Sequence, residues 1–268
     1  MGSEYKMGVS ALIVAYNPDE KLKILVNELV KAKIISNILI WDNASNDKEL
    51  LKIIDEESSI TNIYYSEENV GLAKALNNLV DKATDEFVIT FDQDSYMEAG
   101  DIDRLYVSLI SMHSKNSKYV SIGPKIVLDD NYVIQNKIVK KPYLITSGNL
   151  SYKFIYDKYR YDEEFFIDCL DYDFSLKVRR NYYLCQDKSI VLKQNLGECV
   201  DGVRKHSDIR MYYMLRNFIR LLKRHFLRYP IFLSVMTVLF VKNYSEWMKT
   251  SSDKAKIKKI VNKAMRDA

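Results

Sequence analysis

Hydrophobic positions in the first hundred residues follow two alternating patterns. Residues 9–15, VSALIVA, are a short, almost wholly apolar run, as expected of a strand buried on both faces. Asn17, Pro18 and Asp19 then mark a helix start, with Asn17 as N-cap, Pro18 in the first turn and an acid near the positive helix end. Leu22, Leu25, Val26, Leu29 and Val30 follow at helical spacing. The cycle repeats as a strand over 37–41, a loop over 42–45, a helix over 47–56 and a strand over 62–65. A loop over 68–71, a helix over 72–83 and a buried strand over 86–91, ending at Asp92, complete it. Such alternation predicts a mainly parallel sheet flanked by helices. Ligands of these sheets bind at the carboxyl ends of the strands. Each polar cluster of this half falls at one: Tyr16-Asn17, Asp42-Asn43, Asn69 to Gly71, and Asp92 to Asp94.

The second half is less regular. A helix over 102–113 precedes a strand over 119–122, and mixed strands and loops run to about residue 149. Residues 168–180 read as a helix with acids in its first turns, and 209–229 as a long helix rich in Arg and aromatics. Residues 231–241 are largely apolar, but far fewer than the ~20 a membrane-spanning helix needs.

Composition adds bounds. At 268 residues, the chain fits one large α/β domain with or without a small appendage. Its 47% hydrophobic and 28% charged residues suit a packed core and exclude global disorder. Cys169, Cys185 and Cys199 lack metal-site spacing and read as reduced thiols of a cytosolic protein. The first apolar run is strand-like, so no signal peptide is expected, and the opening MGSEYKMG is set aside. Charge is uneven. From Val203 onward sixteen Lys/Arg face four Asp/Glu, a balance of +12, so the net +4 leaves the remainder at −8. A basic tail on an acidic body points to an anionic partner such as a membrane surface or nucleic acid.

Candidate chemistry centres on Asp92-Gln93-Asp94. Two carboxylates flanking one residue at a strand end can hold a hard divalent cation that bridges diphosphate oxygens, or can simply cap the next element. Asp42-Asn43 can read a base or ribose edge, or form an Asx turn. Asn69 to Gly71 opens a helix whose backbone N–H groups can face an anion, or marks a tight turn. In Asp168-Cys169-Leu170-Asp171-Tyr172-Asp173 a carboxylate can take a proton from an acceptor hydroxyl, or the acids can favour a helix N-terminus. His206, beside the Asp201-Gly202 loop, is either a site residue or structural. Neither G-x-G-x-x-G nor G-x-x-x-x-G-K-[ST] occurs, which argues against dinucleotide and P-loop readings.

In this order the motifs resemble family 2 glycosyltransferases of the GT-A fold. The resemblance rests on Val14-Ala15-Tyr16-Asn17, Asp42-Asn43-Ala44-Ser45, Asn69-Val70-Gly71 with Asn77, Phe91-Asp92-Gln93-Asp94, and Thr146-Ser147-Gly148-Asn149. Residues 165–174, FFIDCLDYDF, and His206-Ser207-x-x-Arg210-x-Tyr212-Tyr213-x-x-Arg216-Asn217 look closest to bacterial rhamnosyltransferases and galactofuranosyltransferases of surface polysaccharide synthesis. The resemblance covers roughly residues 9–220 and is specific as an ordered set.

It implies a catalytic domain over 9–208, with a nucleotide-sugar half over 9–98 and an acceptor half over 99–208, and a helical tail over 209–268. Ala15, Tyr16, Asn17, Asp42 and Asn43 would hold base and ribose. Asn69, Gly71 and Asn77 would shape the nucleotide pocket. Asp92 and Asp94, with Gln93 between them, would bind Mg²⁺ or Mn²⁺ and diphosphate, with His206 as a further contact. Thr146, Ser147 and Gly148 would lie near the donor sugar or acceptor. Asp171 occupies the family's base position, with Asp168 and Asp173 in support. The family's motif often ends in Glu where this chain has Asp173, so the resemblance is looser there.

The implied reaction is inverting transfer from a dTDP- or UDP-sugar, with dTDP-rhamnose preferred, to a glycan or lipid-linked acceptor. In the tail, Arg210, Arg216, Arg220, Lys223, Arg224 and Arg228 interleave with aromatics and leucines. This pattern suits a membrane interface at the inner face of the cell membrane, or a core-packing or dimerising helix. A nucleotidyltransferase would carry a Gly-rich basic loop where this chain has Tyr16-Asn17-Pro18-Asp19. A nucleic-acid-binding module is disfavoured by the acidic body and the lack of a binding motif.

Overall fold

The computed structural model describes residues 8–128, 132–194, 199–200, 203–204, 207–250 and 253–268. The first half alternates as the apolar periods predict: β1 (Val9–Ala15), α1 (Glu20–Lys31), β2 (Ile35–Asp42), α2 (Glu49–Glu57), β3 (Thr61–Tyr65), α3 (Leu72–Lys82) and β4 (Phe87–Asp92). One helix start moves. Asp19, not Asn17, caps α1, its carboxylate accepting the Lys21 amide at 3.0 Å. Asn17 is committed elsewhere: its backbone is left-handed, with φ of 46°, and its amide reaches Ser45 Oγ at 2.8 Å.

The chain continues through β5 (Ser95–Tyr96), α4 (Ala99–Lys115), β6 (Tyr119–Val127), β7 (Ile138–Lys141), β8 (Asn149–Tyr152) and α5 (Lys153–Tyr159). Then come α6 (Leu170–Val178), β9 (Tyr183–Gln194), the small hairpin β10 (Cys199–Val200) and β11 (Val203–Arg204), α7 (Asp208–His225), α8 (Pro230–Thr250) and α9 (Lys254–Asp267). The main sheet runs β3-β2-β1-β4-β8-β6-β9-β5, with β7 on β9. Strands β1 to β4 are mutually parallel where paired, whereas β8 enters antiparallel to β4 and β6. The sheet is therefore mixed, and the carboxyl ends of β1, β2 and β4 open together beside the β8 side.

One apolar core joins the sheet to its helices. Leu12, Ile13, Ile40 and Ile89 from the strands of the first half pack with Ile122, Leu150 and Phe174 of the second half. Phe218 and Leu221 of α7 and Leu233 of α8 belong to that same core. A fully buried Leu such as Leu221 typically contributes about 1.5–3 kcal/mol. A smaller cluster of Met211, Leu215, Trp247, Ile257 and Ala264 ties α7, α8 and α9 together. Among the described residues no helix is long and apolar enough to cross a membrane.

Candidate active site

A cleft of about 1800 Å³ opens over the carboxyl ends of β1, β2 and β4 and continues between α6, α7 and α8. Tyr16, Asn17, Asn43, Asn69, Gly71, Asp92, Gln93 and Asp94 line its wall from the first half of the chain. Thr146, Ser147, Asp168 and Asp171 face them from the second half.

Hydrogen bonds set this first wall. Gln93 clamps the end of β1, accepting the Tyr16 amide at 2.7 Å and donating to its carbonyl at 3.2 Å. Asn43 donates to Asn69 Oδ1 at 2.8 Å and accepts the Val70 amide at 2.9 Å. Gly71 N–H is taken by Asn69 Oδ1, and Leu72 N–H by the Phe166 carbonyl at 2.7 Å. The start of α3 therefore has these amides already committed, and an anion-binding role for Asn69 to Gly71 does not follow from them. Gly71 is needed instead for close approach. Its φ is +82°, and a Cβ there would stand 2.6 Å from the Phe166 ring and 2.8 Å from the Phe166 carbonyl oxygen. Gly71→Ala is expected to cost about 1–3 kcal/mol, read by denaturant unfolding, because backbone strain and collision act together.

Several residues expected at the site stand behind it. Ala15 is buried, its carbonyl accepting the Asn43 amide at 2.8 Å. Asp42 is also buried. Its Oδ1 accepts the Ser45 amide at 3.0 Å, and Lys48 Nζ lies 3.7 Å from Oδ2, so it closes an Asx turn and holds an ion pair away from the cleft. Asn77 sits on the buried face of α3. Its amide donates to the Tyr161 carbonyl at 2.9 Å and accepts the Tyr161 N–H at 3.0 Å, fastening α3 to the segment before α6. Gly148, at φ +75°, lets Pro124 and Leu192 pack where a Cβ would stand 2.7–2.8 Å from them. Ser147 reaches the cleft wall, yet its hydroxyl bonds Ser95 at 2.6 Å and accepts the Asp92 amide at 3.2 Å, so it braces the loop carrying Asp92. His206 lies outside the described residues.

The acids of residues 168–173 separate sharply. Asp168 and Cys169 both adopt left-handed backbone, with φ of 60° and 64°, immediately before α6. Two consecutive non-glycine residues in that region cost on the order of 1–3 kcal/mol each. The strained turn aims Asp168 and Asp171 at the cleft and is held from outside. Asn217 of α7 donates to the carbonyls of Ile167 at 2.6 Å and Asp168 at 3.1 Å. Arg216 in turn donates to Asn217 Oδ1 and to the Glu164 carbonyl. Asp173 points the other way. It is buried in the α6–α7 contact, accepting from His225 Nε2 at 2.8 Å and facing Lys177 at 2.9 Å. Supporting a base is thus not its visible role. It is a structural anion.

Electrostatics distinguish these groups. Burial, and then the neighbouring Asp94 carboxyl, pushes the Asp92 pKa up to about 6, against a bond from Gln194. Burial also raises Asp94. Asp171 is pushed up to about 7, chiefly by burial, with Asp168 and Asp92 adding repulsion. Burial alone would raise Asp173, but the His225 and Lys177 contacts outweigh it and hold its carboxyl below the usual range.

The sequence places Arg210 in a basic helix and in the His206 to Asn217 signature, without a role at the site. It lines the cleft, forks onto Asp168 at 3.2–3.3 Å, and its charge lowers both Asp92 and Asp94 against burial. Its place in the His206 to Asn217 signature was the available signal. Gln194 on Asp92 and the Tyr143–Tyr172 ring pair, 4.6 Å between centroids, had none.

Among the described residues no three His, Cys, Asp or Glu side chains gather into a complete metal set. Asp92 and Asp94 still suit a hard cation. They supply only oxygen donors, and burial raises both despite the opposing charge of Arg210. A small divalent ion commonly binds through one or two carboxylates and completes its shell with substrate phosphates and water.

Comparison with known proteins agrees with this arrangement. A family model described as glycosyl transferase family 2 matches residues 10–169. The chain is 28% identical over 263 positions to the dTDP-rhamnosyl transferase RfbF of Shigella flexneri, covering 87% of this chain and 85% of that protein. In fold it is similar to GalNAc-T7, solved with UDP, GalNAc and Mn²⁺, at a TM-score of 0.68 and 15% identity, covering 98% of this chain but only 55% of that one. It is also similar to residues 1–349 of S. aureus TarS in complex with UDP-GlcNAc, at a TM-score of 0.58 and 15% identity, covering 97% and 72%.

Proposed function

Because the chain belongs to glycosyl transferase family 2, we propose that it moves rhamnose from dTDP-rhamnose to a hydroxyl of a glycan or lipid-linked acceptor, with inversion at the anomeric carbon. The observation that carries this reading is a single cleft with Asp92 and Asp94 on the nucleotide side and Asp171 on the opposite wall. The rhamnosyl preference is supported by the similarity to RfbF over most of both chains.

Asp171 takes the acceptor hydroxyl proton on its carboxylate. The freed oxygen attacks the anomeric carbon from the face opposite the leaving group, and the bond from that carbon to the diphosphate oxygen breaks. Tyr16, Asn17 and Asn43 border the nucleoside end of the cleft. Asp92 and Asp94 would hold Mg²⁺ or Mn²⁺, which when bound offsets charge on the departing diphosphate. Arg210, oriented by Asp168, adds a fixed positive charge that acts on both carboxylates.

A thermal-shift screen tests the donor. At a hundred times its Kd, dTDP-rhamnose with Mn²⁺ is expected to stabilise the protein by about 2.7 kcal/mol. UDP-galactofuranose and other UDP-hexoses should give smaller shifts at equal concentration. A larger shift with a UDP-hexose would reassign the donor. Asp92→Ala and Asp94→Ala are expected to remove the metal-dependent part of the shift and of turnover, and undiminished turnover in EDTA would refute the metal assignment.

A further inference from the structure

The basic residues that suggested a membrane-facing helix at 209–229 are largely occupied within the chain. Arg210 pairs with Asp168, Arg220 with Glu164, and Arg224 with Asp162 and Glu164. They dock α7 on the acidic segment before α6. The next helix has a different surface. Along α8, Ile231, Val235 and Val238 are 82%, 56% and 69% exposed. They recur at helical spacing, and Leu227, fully exposed at 100%, extends the stripe into the preceding turn. On the opposite side of α8, Leu233, Phe240 and Trp247 pack inward.

Charge decides what covers this face. Lys242 and Lys249 continue the same exposed stripe at helical spacing, and Lys223 and Arg228 flank its other end. Glu246, the acid of α8, lines the cleft instead. An apolar stripe bounded by cations at both ends complements an anionic lipid surface. A second copy would bring the same cations against each other. α8 is apolar on both faces, one packed on the protein and the other open to whatever covers it. The inner edge of α8 also forms the apolar end of the cleft, through Met236, Leu239, Phe240 and Trp247. Leu239 belongs to both surfaces, lining the cleft while remaining 52% exposed.

We propose that α8 docks the protein on an anionic membrane through Leu227, Ile231, Val235 and Val238, with the apolar end of the cleft opening at the lipid surface. Docking itself is independent of the glycosyltransferase reading. The delivery of an acceptor from the bilayer to Asp171 rests on that reading.

The test uses the full chain and sedimentation with vesicles of phosphatidylglycerol and phosphatidylethanolamine, against vesicles of phosphatidylcholine. The wild type is expected to bind the anionic vesicles and to release them as salt rises. The triple variant Ile231→Ser, Val235→Ser, Val238→Ser is expected to bind about tenfold or more weakly, with an unchanged thermal midpoint because all three side chains are exposed. Lys242→Glu with Lys249→Glu should remove the preference for anionic lipid. Equal binding by the triple variant, or none by the wild type, overturns the proposal. So does a wild-type dimer that dissociates in the triple variant without vesicle binding, which would assign the face to a second copy. Absence of any donor-induced thermal shift counts against the transferase reading alone, since sedimentation is scored separately.

Discussion

Asp171→Asn lowers turnover by about 10²–10⁴-fold, the usual contribution of a general base, and leaves the donor-induced thermal shift intact. The argument rests on position and on proton affinity. Asp171 lines the cleft opposite Asp92, and burial holds its pKa at about 7. A base with that affinity is ionised in half the molecules near neutrality and still binds a proton well. The ionised form is the active one, so kcat/KM in the wild type should fall about tenfold per pH unit below the native pKa. Stability moves oppositely. The native pKa lies above the unfolded one, so the native state binds the extra proton between those values. Stability therefore declines as pH rises from about 4 to about 7 and stays lowered above. Asp171→Asn should raise Tm above pH 7 while nearly abolishing activity. Full turnover in the variant sinks the assignment. So does a lowered Tm, because it would mean the carboxylate had been stabilising.

Asp173→Ala, two residues along, should do the reverse and cost about 3–5 kcal/mol of stability. It removes the carboxylate that His225 and Lys177 share, inside a contact that joins α6 to α7. For a chain of this size that corresponds to roughly 10 °C or more in Tm. Asp173→Asn keeps an acceptor for His225 and should lose less. The depressed pKa fixes the pH dependence: this stability is present above the unfolded pKa and is lost as pH falls through the native one. The gap between wild type and variant should accordingly narrow in acid. A gap that widened in acid, or a variant with wild-type Tm, would show that the pair carries no net stability.

The nucleotide-side fold was legible because it is written in short periods. β1 and β4 are continuous apolar runs, and α1 and α3 repeat every three to four residues, so their ends and the polar clusters at those ends follow locally. The placement of Asn77 was not legible, because motif proximity ignores helical phase. It lies on the buried face of α3 with Ala73, Leu76 and Val80. The close packing at Gly148 was not legible, because it depends on Pro124 and Leu192 far along the chain. β8 is buried at every position, and β9 pairs in parallel with β6 but antiparallel with β5 and β7, so neither carries a clean alternation. The tail arginines show the same limit in charge. Their spacing displays a basic face, but the acids that neutralise it at 162, 164 and 168 lie 42 to 62 residues earlier. Sequence revealed the charge and concealed its partner.

The bonds from Asn217 to the carbonyls of Ile167 and Asp168 bear on how such enzymes can be recombined. A chimera joined at residue 208 would exchange the anchor of the turn that presents Asp171, together with His225, the partner of Asp173. Such hybrids should express poorly or turn over slowly whatever acceptor the new segment prefers. A junction in the turn between α7 and α8 keeps both anchors with the loop they hold, and exchanges α8 with its exposed stripe together with α9. The useful crossover point for swapping where the enzyme works, without rewriting what it does, therefore falls one helix later than the change in charge along the chain suggests.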